Sequence, residues 1–133
     1  MRKKITLLLL LFTLSTISLN AQVGVALYLE KASICKQNNG KFSLNDFHKK
    51  PIITDADTIF STHFDCFVVS KAGQKGLYDA EGKCMLPITF SNISFDNSRY
   101  WLVNKDGKQG LYSHMGKEIM PPRYDSIEVI SNY

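Results

Sequence analysis

The sequence predicts an all-β protein: tandem antiparallel β-meander or hairpin repeats of about 34 residues, stacked as a short array with a degenerate N-terminal unit. Three observations predict it. Gln74–Lys83 reads QKGLYDAEGK and Lys108–Lys117 reads KQGLYSHMGK, nearly the same decapeptide written twice. An ungapped offset of 34 lays residues 67–95 over 101–129, so that Gly73 meets Gly107, Gly76 meets Gly110, Gly82 meets Gly116 and Pro87 meets Pro121. The residues before and between these glycines are β-prone in both copies: Phe67, Val69, Leu77 and Tyr78 in the first, Trp101, Val103, Leu111 and Tyr112 in the second.

In chain order, residues 1–21 read as a secretory signal peptide. Arg2, Lys3 and Lys4 precede an apolar run from Ile5 to Leu14, and a more polar tract ends at Ala21, where the cut is expected to leave Gln22 first. Thr13, Ser15, Thr16 and Ser18 interrupt the apolar stretch, which disfavours the competing reading of an uncleaved membrane anchor. No cysteine follows the cut, so no lipid anchor is indicated. The expected location is periplasmic or extracellular, without membrane attachment after cleavage.

Residues 22–66 form the degenerate repeat or cap. Asp57-Thr58-Ile59 falls at the same offset on Ser91-Asn92-Ile93 and Asp125-Ser126-Ile127, and Asn38–Leu44 offers a hairpin shifted by a couple of residues. The segment 23–37 reads as a strand or as a helix from about Val25 to Lys36. The clear repeats then occupy 67–100 and 101–133.

Within a clear repeat the local physics is specific. Asp106-Gly107 suits a two-residue type I′ turn. That turn pairs Lys105 with Lys108, Asn104 with Gln109, Val103 with Gly110, Leu102 with Leu111 and Trp101 with Tyr112; the first copy pairs Val69 with Gly76, Val68 with Leu77 and Phe67 with Tyr78. Aliphatic and aromatic cross-strand pairs of this kind add about 0.2–1 kcal/mol each and hold the register. On the diagonal, Trp101 is expected to cover Gly110, and Phe67 to cover Gly76. Gly82 and Gly116 then take positive φ and start a third strand, which Pro87 or Pro121 is expected to end for want of an amide hydrogen. Residues 88–95 and 123–130 follow as a further extended run. One such meander cannot bury its own apolar face, so neighbours must stack on it.

The joint pattern of an aromatic, Val, Lys, two glycines, Leu-Tyr, Gly-Lys and Pro-x-x-[FY], seen over 67–95 and 101–129, resembles the WG repeat, also called the KWG repeat, of bacterial proteins that are often exported. The resemblance implies a repeat array that presents a surface instead of a catalytic centre. This chain departs from the family where its name-giving tryptophan precedes the second glycine, since Lys75 and Gln109 stand there. If that ring packs between repeats in the family, Phe67 and Trp101 are the side chains left to do so here. The leader's ending, Asn20-Ala21-Gln22, also resembles exported proteins of the Bacteroidetes.

Charge and motif content narrow the function. With three of the 16 Lys and Arg residues in the leader, the remainder carries 13 against 12 acidic residues, a net charge of +1. That is no concentrated basic face, so nucleic acid is not an expected partner. Neither a GxSxG, P-loop, HExxH nor GxGxxG motif occurs, and no acidic pair recurs with the repeat, so no catalytic residue and no cofactor is expected. His63 with Cys66 offers only two of the four ligands a structural zinc site needs, and no metal site is indicated. Cys35, Cys66 and Cys84 permit at most one disulfide, and spacing does not select the pair.

The expected function is therefore a non-catalytic, exported module for protein or glycan interaction in the cell envelope, with self-association as a further expectation for so short an array. Tyr28, Phe47, Phe64, Tyr100 and Tyr133 are candidate contact residues. The alternative is a small extracytoplasmic hydrolase using His63 with Asp65, or His114 with a neighbour such as Asp106 or Asp125. Specificity is expected in the loop that differs between copies, Asp79-Ala80-Glu81 against Ser113-His114-Met115.

Asp57-Thr58-Ile59 and Asp125-Ser126-Ile127 also resemble the Asp-Ser/Thr-aliphatic sequon for O-glycosylation of exported Bacteroidetes proteins, which would put sugars on Thr58 and Ser126; the competing reading is a repeat turn that happens to use these residues. Intact mass of the protein recovered from its native envelope is expected to show a chain starting at Gln22. Added hexose-sized increments lost on Thr58→Ala and Ser126→Ala would mark the sugars, and an unmodified mass would remove them.

Overall fold

The computed structural model describes residues 31–96 and 99–130. The signal peptide, Tyr28 and Tyr133 lie outside the described residues. The fold is all-β, built from three antiparallel sheets. The first contains β1 (Ser33–Lys36), β2 (Phe42–Asn45) and β3 (Pro51–Ala56); the second β4 (Thr58–Ser61), β5 (Phe67–Lys71), β6 (Gln74–Tyr78) and β7 (Cys84–Phe90); the third β8 (Asn92–Phe95), β9 (Tyr100–Lys105), β10 (Lys108–Ser113) and β11 (Glu118–Tyr124). Strands follow one another across each sheet in chain order.

The hairpin registers are those the turns dictate. Ala72 and Gly73 sit at φ 51° and 78°, Asp106 and Gly107 at 51° and 74°, and the pairings run from Lys71↔Gln74 to Phe67↔Tyr78 and from Lys105↔Lys108 to Trp101↔Tyr112. Alanine adopts this left-handed backbone reluctantly; its amide is held by the Asp57 carboxylate, Ala72 N to Oδ2 at 2.8 Å.

Three expectations change. First, Ser33–Lys36 is a strand paired with Phe42–Asn45, so the helical reading fails over its last four residues, and the rest of that segment lies outside the described residues. Second, β7 and β11 do not stop at Pro87 and Pro121 but run through them. Two steps along β6 correspond to four along β7 (Leu77↔Leu86, Lys75↔Phe90), and β10 with β11 repeats this (Leu111↔Met120, Gln109↔Tyr124). The prolines fall in these bulges, where no ladder bond needs their missing hydrogen. Third, the nearest atoms over Gly76 and Gly110 belong to the bulged strand and not to aromatic rings: backbone at Gly110, and at Gly76 backbone together with Ile88 Cγ1, 2.7 Å from where a Cβ would stand. A Cβ on Gly110 would stand 2.8 Å from Pro122 N and 3.0 Å from Met120 O; on Gly76 it would stand 2.9 Å from Ile88 N and from Leu86 O. The bulged strand folds down onto the glycine.

The same four-residue loop then recurs in all three sheets. Asp46, Asp79 and Ser113 each accept an amide hydrogen with their side chain, from Lys50 (2.8 Å), Lys83 (2.7 Å) and Lys117 (3.1 Å). The residue before each lysine is left-handed: Lys49 at φ 67°, Gly82 at 88° and Gly116 at 80°. The first sheet is thus a third copy by geometry. Its hairpin loop is one residue longer, with Lys36↔Phe42 where the second sheet has Ser70↔Lys75, which is why the fixed offset loses it.

Stacking of the sheets creates two cores. Cys66, Val68, Leu77 and Leu86 from the second sheet meet Ile93, Trp101 and Val103 from the third, with Phe90 among them. The opposite face of the second sheet, Ile59, Phe67, Val69 and Tyr78, meets Ala32, Leu44 and Ala56. Phe67 and Trp101 are therefore the rings between units, and Lys75 and Gln109 reach forward instead: Lys75 Nζ bonds Asn92 Oδ1 at 2.9 Å, and Gln109 Oε1 accepts from Ile127 N at 2.7 Å. The strand that closes each sequence repeat belongs by hydrogen bonding to the following sheet, since β8 pairs with β9 (Ile93↔Val103) just as β4 pairs with β5 (Ile59↔Val69).

Gly110→Ala is expected to cost about 1–3 kcal/mol, because the crowding atoms are backbone and cannot step aside. Gly107→Asn, which has open space around it and a side chain that tolerates positive φ, is expected to be nearly neutral. Urea midpoints of the two variants check the contrast.

Candidate functional site

A cavity of about 630 Å³ opens where the second and third sheets meet at one end of the stack. Four segments build it. The turn after β4 contributes Phe64 and Cys66; the loop between β6 and β7 contributes Asp79, Ala80, Glu81 and Lys83; the start of β7 contributes Cys84 and Met85; the loop between β10 and β11 contributes His114 and Met115. The two loops that differ between the repeats thus face one space.

Backbone chemistry explains each position. The turn at His63–Asp65 is closed by Thr62 N to Cys66 O (2.7 Å) and Cys66 N to His63 O (3.2 Å). It puts Phe64 and Asp65 consecutively in left-handed backbone, at φ 60° and 55°, each costing about 1–2 kcal/mol for a residue with a Cβ. The strain presents Phe64, 58% exposed, against the edge of Phe95 (5.4 Å) and near His114 (5.8 Å), while His63 stacks on Phe95 at 4.5 Å. The loop carrying His114 and Met115 is pinned on both sides. Trp101 Nε1 donates to His114 O at 3.3 Å, and Gly116 lies so close to Met85 that a Cβ would stand 3.1 Å from Met85 O.

Two of the ionisable groups lining the cavity, Asp79 and Cys66, have side-chain partners. Asp79 Oδ1 accepts from Glu81 N (3.1 Å) and Lys83 N (2.7 Å), capping its own turn. Burial, with a smaller contribution from the charges of Asp79, Asp65 and Glu81, pushes the Cys66 thiol up to about 11, so it is neutral at pH 7 and a poor nucleophile. Its sulfur lies 3.8 Å from Met85 Sδ and 3.7 Å from Phe64 O. Burial likewise raises Tyr78, beside Cys84, and Tyr112, whose hydroxyl donates to Glu118 at 2.9 Å, each to about 12.

Of the residues singled out by sequence, His114 and Phe64 come together here, while Phe47, 42% exposed, and Tyr100, half-buried, lie elsewhere. His114, Asp106 and Asp125 do not converge. Asp106 occupies the turn before β10 and His114 the loop after it, so a six-residue strand of roughly 20 Å separates them. Asp125 pairs with Lys108 at the turn end, as Asp57 pairs with Lys41 in the first unit. Thr58 and Ser126 are exposed. All three cysteines are free, Cys35 and Cys84 being more accessible than Cys66. Sequence reasoning missed Met85 and the strained turn; the variable tripeptides after each Leu-Tyr, which include Met115, mark two of the cavity's walls.

Among the described residues no helix is long and apolar enough to cross a membrane, and no group of three His, Cys, Asp or Glu side chains is placed to hold a metal. Comparison of the chain with protein-family models, curated proteins and solved structures finds no match.

The raised thiol and phenol values fix a pH dependence. A neutral form favoured by folding contributes stability that is complete below the ordinary values, 9.0 for Cys66 and 10.0 for Tyr78 and Tyr112, and is lost as pH rises through the folded ones. The urea midpoint is expected to fall between about pH 9 and pH 12. Ultraviolet titration is expected to show two tyrosines ionising late, and Phe variants at Tyr78 and Tyr112 should each remove one.

Proposed function

We propose that the chain is a non-catalytic, exported repeat module of the cell envelope that binds a protein partner through the cavity between its second and third sheets. One observation carries this: the two loops that vary between otherwise similar repeats converge on a single cavity rimmed by an exposed phenylalanine held in strained backbone. Strain of this kind persists where the surrounding structure imposes it, and it clusters at binding sites. Repeat arrays use constant residues for the scaffold and variable loops for recognition. The resemblance to WG repeats and the signal-like leader supply the exported setting.

The character of the walls favours an apolar side chain from a protein over a glycan. Phe64, Met85 and Met115 present carbon and sulfur, methionine adapts to the shape of what it meets, and the Asp79 carboxylate is already engaged by its own turn. A second copy of the chain is one such protein. The hydrolase alternative survives in a narrower form, with His114 and Glu81 on the same cavity; it predicts ester or peptide hydrolysis abolished by His114→Ala.

Pull-down from envelope extract is expected to recover a partner with the wild-type chain and to lose it with Phe64→Ser, whose side chain is exposed and whose loss leaves both cores intact. Phe47→Ser, away from the cavity, should behave as wild type. Equal recovery with Phe64→Ser would overturn the assignment of the site.

A further inference from the structure

The cavity has a second chemical property, independent of whether a protein docks there. It gathers sulfur. Cys66, Cys84, Met85 and Met115 line it, together with the imidazole of His114. Four sulfur side chains on one cavity are unusual in a chain with three cysteines and four methionines, one of which is Met1.

The geometry within this group suits coordination. Cys66 Sγ and Met85 Sδ stand 3.8 Å apart, and with metal–sulfur bonds of about 2.3 Å that spacing subtends about 110° at a shared ion. No backbone movement is needed to bring the two atoms to one metal. Met115 sits on a loop anchored at both flanks, by Trp101 Nε1 on the carbonyl of His114 and by the close seat of Gly116 on Met85. Its side chain is 74% exposed and unbranched and lines the same cavity as the first two sulfurs.

The donor set selects the ion. Since no three His, Cys, Asp or Glu side chains gather among the described residues, neither zinc nor a hard cation finds an adequate cage. A thiolate with thioethers is soft, and soft ligands of this kind select Cu(I). Charge points the same way. On binding, the Cys66 thiol releases its proton to solvent as the sulfur–copper bond forms, and the thiolate with Cu(I) is neutral overall, which a half-buried site accommodates better than the residual charge a divalent ion would leave.

We propose that the cavity is a Cu(I) site in which Cys66 Sγ and Met85 Sδ hold the ion and Met115 closes over it. The leader and the predicted export put this site where such an ion would have to be bound outside the cytoplasm, without making the proposal depend on the partner.

The test uses the chain from Gln22 onward with Cu(I) as the probe, under anaerobic conditions, against a colorimetric Cu(I) chelator of known affinity. Wild type is expected to retain one Cu(I) per chain. Cys66→Ser is expected to surrender it, and Met85→Leu and Met115→Leu to weaken it by roughly tenfold or more. Cys35→Ser, in the first sheet, should hold it as wild type does. Met115 is exposed and belongs to neither core, so Met115→Leu leaves the packing intact, and circular dichroism checks the fold of every variant. Complete loss of copper from wild type to the chelator, retention by Cys66→Ser, wild-type affinity in Met115→Leu, or equal retention of Zn²⁺ would each overturn the proposal.

Discussion

The second sheet has two apolar faces and, among the described residues, no α-helix to cover either, and the rest of the structure follows from that. Phe67, Val68 and Val69 are consecutive along β5 and all buried, so successive side chains go into different cores. An alternating strand with one wet face could not carry such a run. The sheet is stable only because a copy of itself lies on one side and a variant copy on the other. Interfaces between units, not units, are the cooperative element, as expected for a repeat array.

Close approach is obtained by two devices, both written as glycine. Under each bulge, Gly76 or Gly110 lets the third strand's backbone settle onto the second. In the first sheet two steps along β2 correspond to three along β3 (Leu44↔Ile53, Phe42↔Ala56), a shallower bulge, and buried Ser43 stands in the glycine's place. At the later loop, the glycine supplies positive φ and also seats one unit on the previous one: Gly82 against Ile52 and Gly116 against Met85. Lys49 occupies the corresponding position of the first sheet, with a left-handed backbone and no glycine, which is the physical content of its degeneracy.

The cavity is a by-product of this stacking. Because each loop rests on the unit before it, the loop after β10 is delivered to the mouth of the second sheet, and substitutions that leave the scaffold unchanged alter the chemistry of the wall. Asp79-Ala80-Glu81 makes a self-capped, acidic turn; Ser113-His114-Met115 makes a turn capped by a hydroxyl that projects an imidazole and a thioether. The same backbone thus presents two different surfaces to one space.

The sequence by itself determined what is local. The type I′ turns, the pairing from Lys105–Lys108 to Trp101–Tyr112 and the glycine positions were legible because turn geometry and side-chain alternation act over a dozen residues. That Phe67 and Trp101 would pack between repeats was also legible, from their place on the apolar strands. Tertiary structure decided the rest: that Asn92–Phe95 joins the sheet after it, that the strands pass through Pro87 and Pro121, and that Cys66, Met85 and Met115 line one cavity. Each of these depends on how far one unit sits from the next, a distance set by packing between residues widely separated in the chain, and the composition of a single repeat carries no record of it.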